Sequence, residues 1–379
     1  MLHGISENNG VITKLPEERT IIDDVITKPL DRMNRPGNIV IHDNRLISKT
    51  EKLVSAIQPS GPIVYHPDQS HMMDLLGVSR AHSMGYHGRD ENVVHIEHGL
   101  NINHRIFGGK EITVIGAKPE TVENDAHANG VASMIIAFPS GAATMHGISR
   151  EVHYACAPAV EGPESVAQQI DNSVKEMPVG TIIQIVLAVN NYTYYNGFQA
   201  AYPLETQKVV WEAARKAVDK GYVVIAAAGN GHNNLDADMF KDYRDWGDSG
   251  VILVGADNDF STHGSRVDLW SYGRDVLVSP SDGMFIYEKG TSFTTPQITG
   301  VSALVQQRAR EKLGYPLGGE KMREILKKSG GTKPTELMLG GLIGFMPDVI
   351  EAFLLIDRLQ GNIADNLQMQ QDIQKRGFV

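Results

Sequence analysis

Ser292 stands in the tripeptide Gly290-Thr291-Ser292, ahead of an apolar run from Ile298 to Val305 at helical spacing. Glycine lets the backbone turn sharply, and the helix start behind it favours negative charge. A hydroxyl placed there can act as a nucleophile once a base takes its proton. The same tripeptide also caps ordinary helices, so the segment alone leaves both readings open. The residues to look for are a base and an acid that orients it. Among 14 histidines, His127 opens a helix-like run of small and apolar residues. An imidazole suits the base because its pKa lies near working pH, although a lone histidine at a helix start is commonly structural. His146 is the rival imidazole. Glu97 closes the short run Asn92-Val93-Val94-His95-Ile96. A carboxylate at a strand end can accept an imidazole Nδ1–H and fix its tautomer; it can equally be a solvated surface acid.

Such residues meet only if strands and helices carry them to one place. Residues 92–96, 111–117, 181–189, 222–228, 250–256 and 275–280 read as strands. Helices are expected from about His127, from Pro163 with Val166, Ile170 and Val174 four apart, over 206–220 with Gly221 just past the end, and over 321–328. The run Thr181–Val189 is apolar on both faces, as a central parallel strand is. Strands alternating with helices predict an α/β fold, a mostly parallel central sheet flanked by helices on both faces. In such sheets, sites gather at the carboxyl ends of the strands.

The motifs resemble those of the subtilisin-like serine proteases. Gly290, Thr291, Ser292, Pro296 and Gly300 match that family's Gly-Thr-Ser-x-x-x-Pro segment, with Thr294 in place of Ala and Gln297 in place of His. Gly99 and His104 match the strand-acid-glycine segment, with Glu97 where the family has aspartate. His127, Val131 and Ala132 match the histidine helix; Ala128, Gly130 and Ser133 depart from it. Ala227-Ala228-Gly229-Asn230 resembles the family's Ala-Ala-Gly-Asn turn. The resemblance covers residues 67–352. It implies Ser292 as nucleophile, His127 as general base and Glu97 as orienting acid. It further implies Asn230 as a side-chain donor to the oxyanion, and Leu187, Ala188 and Gly229 at the substrate-binding edge. The implied activity is a serine endopeptidase acting on proteins or peptides, with no cofactor required for the chemistry. Glutamate carries one methylene more than aspartate, which motivates two alternatives. One is a binding module of this fold with impaired catalysis; the other is a peptide-maturing transpeptidase that hands the acyl group to an amine.

The remaining composition bounds the partners. A net charge of -10 gives nucleic-acid binding no electrostatic support. Hydrophobic content of 41% over 379 residues suffices for a full core. The single cysteine, Cys156, forbids an intrachain disulfide. No stretch reaches the ~18 apolar residues of a membrane helix, and no basic-then-apolar leader opens the chain. The expected location is therefore cytoplasmic, export by a non-standard route aside. Residues 1–66, punctuated by prolines, read as a small module or an extended arm, and the resemblance adds an inhibitory prosegment as an option. Residues 353–379 read as a polar tail. Asp236, Asp238, Asp242, Asp245 and Asp248 form an acidic stretch that could hold calcium but is more commonly a solvated loop; the spacing fits no EF-hand, so metal stays unassigned. Oligomeric state is not legible.

Overall fold

The computed structural model describes residues 12–14, 20–21, 65–139, 145–160, 162–195 and 198–361. Most of the N-terminal extension expected over 1–66, and the tail beyond 361, lie outside the described residues. The strands among the described residues, in chain order, are β1 (Ile12–Lys14), β2 (Thr20–Ile21), β3 (Asn92–Glu97), β4 (Ile112–Val114), β5 (His153–Pro158), β6 (Ile182–Ile185), β7 (Leu187–Tyr195), β8 (Phe198–Pro203), β9 (Val223–Ala227), β10 (Ile252–Ala256), β11 (Leu269–Ser271), β12 (Val276–Ser281), β13 (Met284–Glu288), β14 (Thr335–Glu336) and β15 (Leu342–Gly344). Seven of them form one parallel sheet in the order β11-β10-β9-β6-β3-β5-β4.

Alternate residues of each strand point to opposite faces, and both faces are covered. On one side Val93, Tyr154, Cys156, Ile182, Val223 and Ile225 pack with the Thr291–Leu313 and Ala126–Ile136 helices. On the other, Val94, Ile96, Ala155, Ile183, Ile185 and Val224 pack with the Pro163–Glu176 and Lys208–Asp219 helices. This is the α/β layering expected from the alternating pattern. The strands nearest the middle carry apolar side chains on both faces because both faces are dry.

The apolar run 181–189 is not one strand. β6 ends at Ile185, and β7 starts at Leu187 in a second, antiparallel sheet with β8, Ala188 facing Pro203 and Val189 facing Tyr202. Val186, at the break, is buried with Val131, Met134 and Phe293. A residue buried in either sheet shows the same hydropathy, so the pattern cannot reveal where the chain leaves the first sheet. The N-terminal strands attach to these outer sheets. β1 runs antiparallel to β7, with Thr13 opposite Ala188, and β2 runs antiparallel to β13, with Thr20 opposite Tyr287.

At the other end, a helix starting at residue 349 continues to 361. Phe353 and Ile356 on it are fully buried. Arg308 grips Asp357 with its Nη2 at 2.8 and 2.7 Å from the two carboxylate oxygens. The segment read from sequence as a polar tail from 353 thus contributes a turn or two to the core. Among the described residues, no helix is long and apolar enough to cross a membrane.

Candidate active site

Glu97 is the last residue of β3 and is fully buried. His127 is the second residue of the Ala126–Ile136 helix. Ser292 is the second residue of the Thr291–Leu313 helix. The two helices pack on each other against the same sheet face. A strand end and two helix starts thereby converge at the carboxyl edge of the sheet, where residues distant in sequence can meet.

The His127 Nδ1 lies 3.4 Å from Glu97 Oε1. That is an ion-pair separation, short of hydrogen-bond geometry. Burial alone would raise the Glu97 carboxyl. The adjacent His127 imidazole, with His98 and His95 farther out, outweighs burial and holds the carboxyl below its ordinary range. Glu97 is therefore a buried carboxylate facing an imidazole nitrogen. The His127 ring stands edge-on to Phe293, with centroids 5.5 Å apart, which brings it to the residue next to Ser292.

Ser292 is fully buried, and its Oγ makes no hydrogen bond among the described residues. The structure therefore joins Glu97 to His127 and sets the His127 ring against Phe293 of the serine turn, without a formed hydroxyl–imidazole bond. Gly290 turns the chain into the helix at φ 143°, a conformation that side chains avoid. Pro296, inside the first turns, has no N–H to give to the Ser292 carbonyl. The hydroxyls of Thr294 and Thr295 instead return to the Thr291 carbonyl, at 3.0 and 2.8 Å.

Asn230 follows β9 and is fully buried. Its Oδ1 accepts from the Thr291 N–H at 3.1 Å and from the Thr291 hydroxyl at 3.2 Å. The same hydroxyl accepts from the Gly229 N–H at 3.1 Å. With its oxygen committed to two donors on the serine turn, the amide presents its NH₂ end on the opposite side. That is the orientation an oxyanion donor needs. Asn230 does not take a positive φ; its neighbours Gly229 and Gly231 do, at 96° and 95°. A Cβ on Gly229 would come within 2.3 Å of the Ala201 carbonyl oxygen, so only glycine lets the β9 turn lie this close to β8.

Leu187 and Ala188 are buried at the start of β7, where Ala188 packs with Ala201 and Ala227. One edge of their backbone is occupied by β1, with Lys14 opposite Leu187 and Thr13 opposite Ala188.

Sequence reasoning passed over Asp125. It caps the His127 helix, its Oδ1 accepting the Ala128 N–H at 2.9 Å. Donor atoms of Glu97, Asp125 and His127 all lie within 4.8 Å of one another. The available signal was an acid just before a helix start. Among the described residues this is the one cluster with the donor spacing of a metal site.

Other motif residues serve the scaffold. His104 caps a short 3-10 helix and faces Asp282 at 3.3 Å. Gln297 ties the serine helix to the preceding loop, its Nε2 donating to the carbonyls of Tyr272 and Phe293 at 2.7 and 2.8 Å. In the acidic stretch, Asp236 accepts from the backbone N–H and hydroxyl of Ser265 at 2.9 and 2.6 Å, and Asp245 and Asp248 pair with Lys241 and Arg323.

A family model described as the subtilase family matches residues 90–362. An intracellular serine protease of Paenibacillus polymyxa is 36% identical over 104 residues, which are 26% of this chain and 32% of that protein. A thermostable alkaline protease of Halalkalibacterium halodurans is 23% identical over 283 residues, 71% of this chain and 73% of that one. The matched region thus spans a third or less of several of these relatives, 32%, 26% and 25% of their length. Among solved structures, the patellamide maturation protease PatA superposes with a TM-score of 0.53 at 24% identity, covering 71% of this chain and 98% of that one. A cold-adapted subtilisin-like serine proteinase gives 0.53 at 18%, covering 70% and 90%.

Proposed function

The chain belongs to the subtilase family, and from that premise we propose that it is a serine endopeptidase working through an acyl-enzyme on Ser292. The observation that carries the proposal is the buried Glu97–His127 contact of 3.4 Å, set beside the serine turn. His127 takes the Ser292 proton as Oγ attacks the peptide carbonyl, then passes it to the leaving amine. Glu97 holds the imidazole by Nδ1 and offsets the charge it gains. The NH₂ of Asn230 and the Ser292 N–H receive the oxyanion. Water then repeats the sequence and frees the acid product. Purified protein incubated with casein or a chromogenic peptide is expected to release products whose mass includes one added water per cleavage. Products carrying an amine instead would make it a transpeptidase. No turnover would leave the binding-module reading.

We propose further that the N-terminal extension occupies the site. An extended substrate would pair with the β7 edge by strand addition. β1 takes that edge at Leu187 and Ala188. A tethered strand competes at an effective concentration in the millimolar range for a short linker. Deleting residues 1–21 is expected to raise kcat/KM on a peptide by about tenfold or more, measured at substrate below KM. An unchanged or lower rate in a folded deletion variant would assign β1 to the scaffold.

A further inference from the structure

Three strands place a row of polar side chains directly behind Glu97. In the register of the sheet, His95 on β3 lies between Cys156 on β5 and Gln184 on β6. His95 is two residues before Glu97, so both project to the face that carries the two site helices. His95 and Gln184 are fully buried. Neither ring nitrogen of His95 and neither end of the Gln184 amide has a hydrogen-bond partner among the described residues. Both Glu97 oxygens are in the same condition apart from the long contact to His127.

Burial pushes the His95 imidazole down to about 4, so at neutral pH it is uncharged, with one N–H to give and one nitrogen to accept. Gln184 offers two donors and an acceptor. Left dry, this many unpaired polar atoms in a core are strongly unfavourable. Native interiors resolve the problem with a buried water that has two to four polar partners. The carboxylate completes the set, because it supplies acceptors while its two neighbours on this face supply donors.

We propose that His95 and Gln184 hold a buried water which donates to the Glu97 carboxylate from the side away from His127, making His95 a positioning residue of the triad. This rests on the endopeptidase reading for its kinetic consequences. The carboxylate's own reach is fixed by β3 on one side only. A second donor behind it sets its rotamer and shares its negative charge. The ionisable groups around it are His95 on its own strand and His98 just past the strand's end, Asp125 capping and His127 on the helix in front, and Tyr154 and Cys156 on β5. Deprived of the donor behind, the carboxylate pulls harder on any proton at His127. The working pair, ionised Glu97 with neutral His127, is then reached only at a higher pH.

The experiment compares wild type with His95→Leu, His95→Gln, Gln184→Leu and the His95→Leu/Gln184→Leu double variant, all as the full chain. Expected for His95→Leu is a fall of about tenfold in kcat with KM unchanged, since misplacement of a catalytic group acts on the chemical step. The acid limb of the pH profile moves to higher pH by about one unit. His95→Gln, which restores a donor, recovers most of both. Gln184→Leu shifts the limb in the same direction, and the double variant loses little more than His95→Leu alone, because both act through one water. The proposal is overturned if His95→Leu keeps the wild-type kcat and acid limb, or if His95→Gln is impaired as much as His95→Leu. Should the wild type turn over no peptide, the endopeptidase reading fails separately. The imidazole titration of His127, followed by NMR in the same variants, then decides: an upward shift in His95→Leu supports the water bridge and an unmoved titration overturns it.

Discussion

Ser292→Ala is expected to abolish labelling by a fluorophosphonate probe and to lower kcat by on the order of 10⁶-fold, the loss established for the nucleophile of subtilisin in the same family. The fold should be untouched. The Ser292 Oγ is fully buried and makes no hydrogen bond among the described residues, so removing it strands no partner and leaves a space smaller than a methyl group. Equal unfolding midpoints for wild type and variant, with labelling only in the wild type, would assign the nucleophile. Persistent labelling of Ser292→Ala, mapped by mass spectrometry to another residue, would sink the mechanism. Because the hydroxyl is sealed in this conformation, labelling of the wild type should also accelerate when residues 1–21 are removed.

For Glu97→Gln, the expected loss in kcat is about 10⁴-fold, the size seen when the orienting acid of a serine triad loses its charge. An amide cannot offset an imidazolium, and it can present an N–H to the wrong nitrogen. Glu97→Asp tests reach instead of charge. It withdraws the carboxylate by roughly one C–C bond, about 1.5 Å, from a contact that is already 3.4 Å. A misplacement of that size costs about 100-fold. Equal activity of Glu97→Asp and wild type would show that the backbone here does not depend on the longer acid. Stability follows a defined sign as well. Glu97 in the folded chain is held below its ordinary range, through its contact with His127 against the opposing effect of burial. The pair therefore contributes stability that is fully present above the ordinary range and is lost as the pH falls below it, through the lower folded-state value. Glu97→Gln should flatten the acid side of the unfolding curve, read as thermal midpoints between neutral and acid pH.

Much of this arrangement is legible in the sequence. The glycine turn at 290, the apolar strand ending at Glu97 and the small-residue helix after His127 are local patterns, and local patterns survive in sequence. Their convergence followed from the rule that open α/β sheets gather function at one edge. What stayed hidden was non-local or ambiguous. The departure of β7 from the central sheet at Val186 was invisible because burial in either sheet looks alike in hydropathy. The nearness of Asp125 to the Glu97–His127 pair depends on how one helix start faces one strand end. The β1–β7 pairing joins segments more than 170 positions apart and is made by backbone groups, which every residue type supplies equally. The His95–Gln184 row needs the register of two strands, and a one-residue slip would turn either side chain to the other face.

The sole thiol of the chain has a use that follows from where it lies. Cys156 sits within that same row, wholly inaccessible, and burial pushes its pKa up to about 12. Alkylating reagents attack the thiolate, so in the native molecule the reaction must wait for β5 to open. Its rate in mild reagent then reports how often the central sheet opens to solvent. The protein in effect carries a single-site clock for its own breathing, readable as one mass increment without any engineered label.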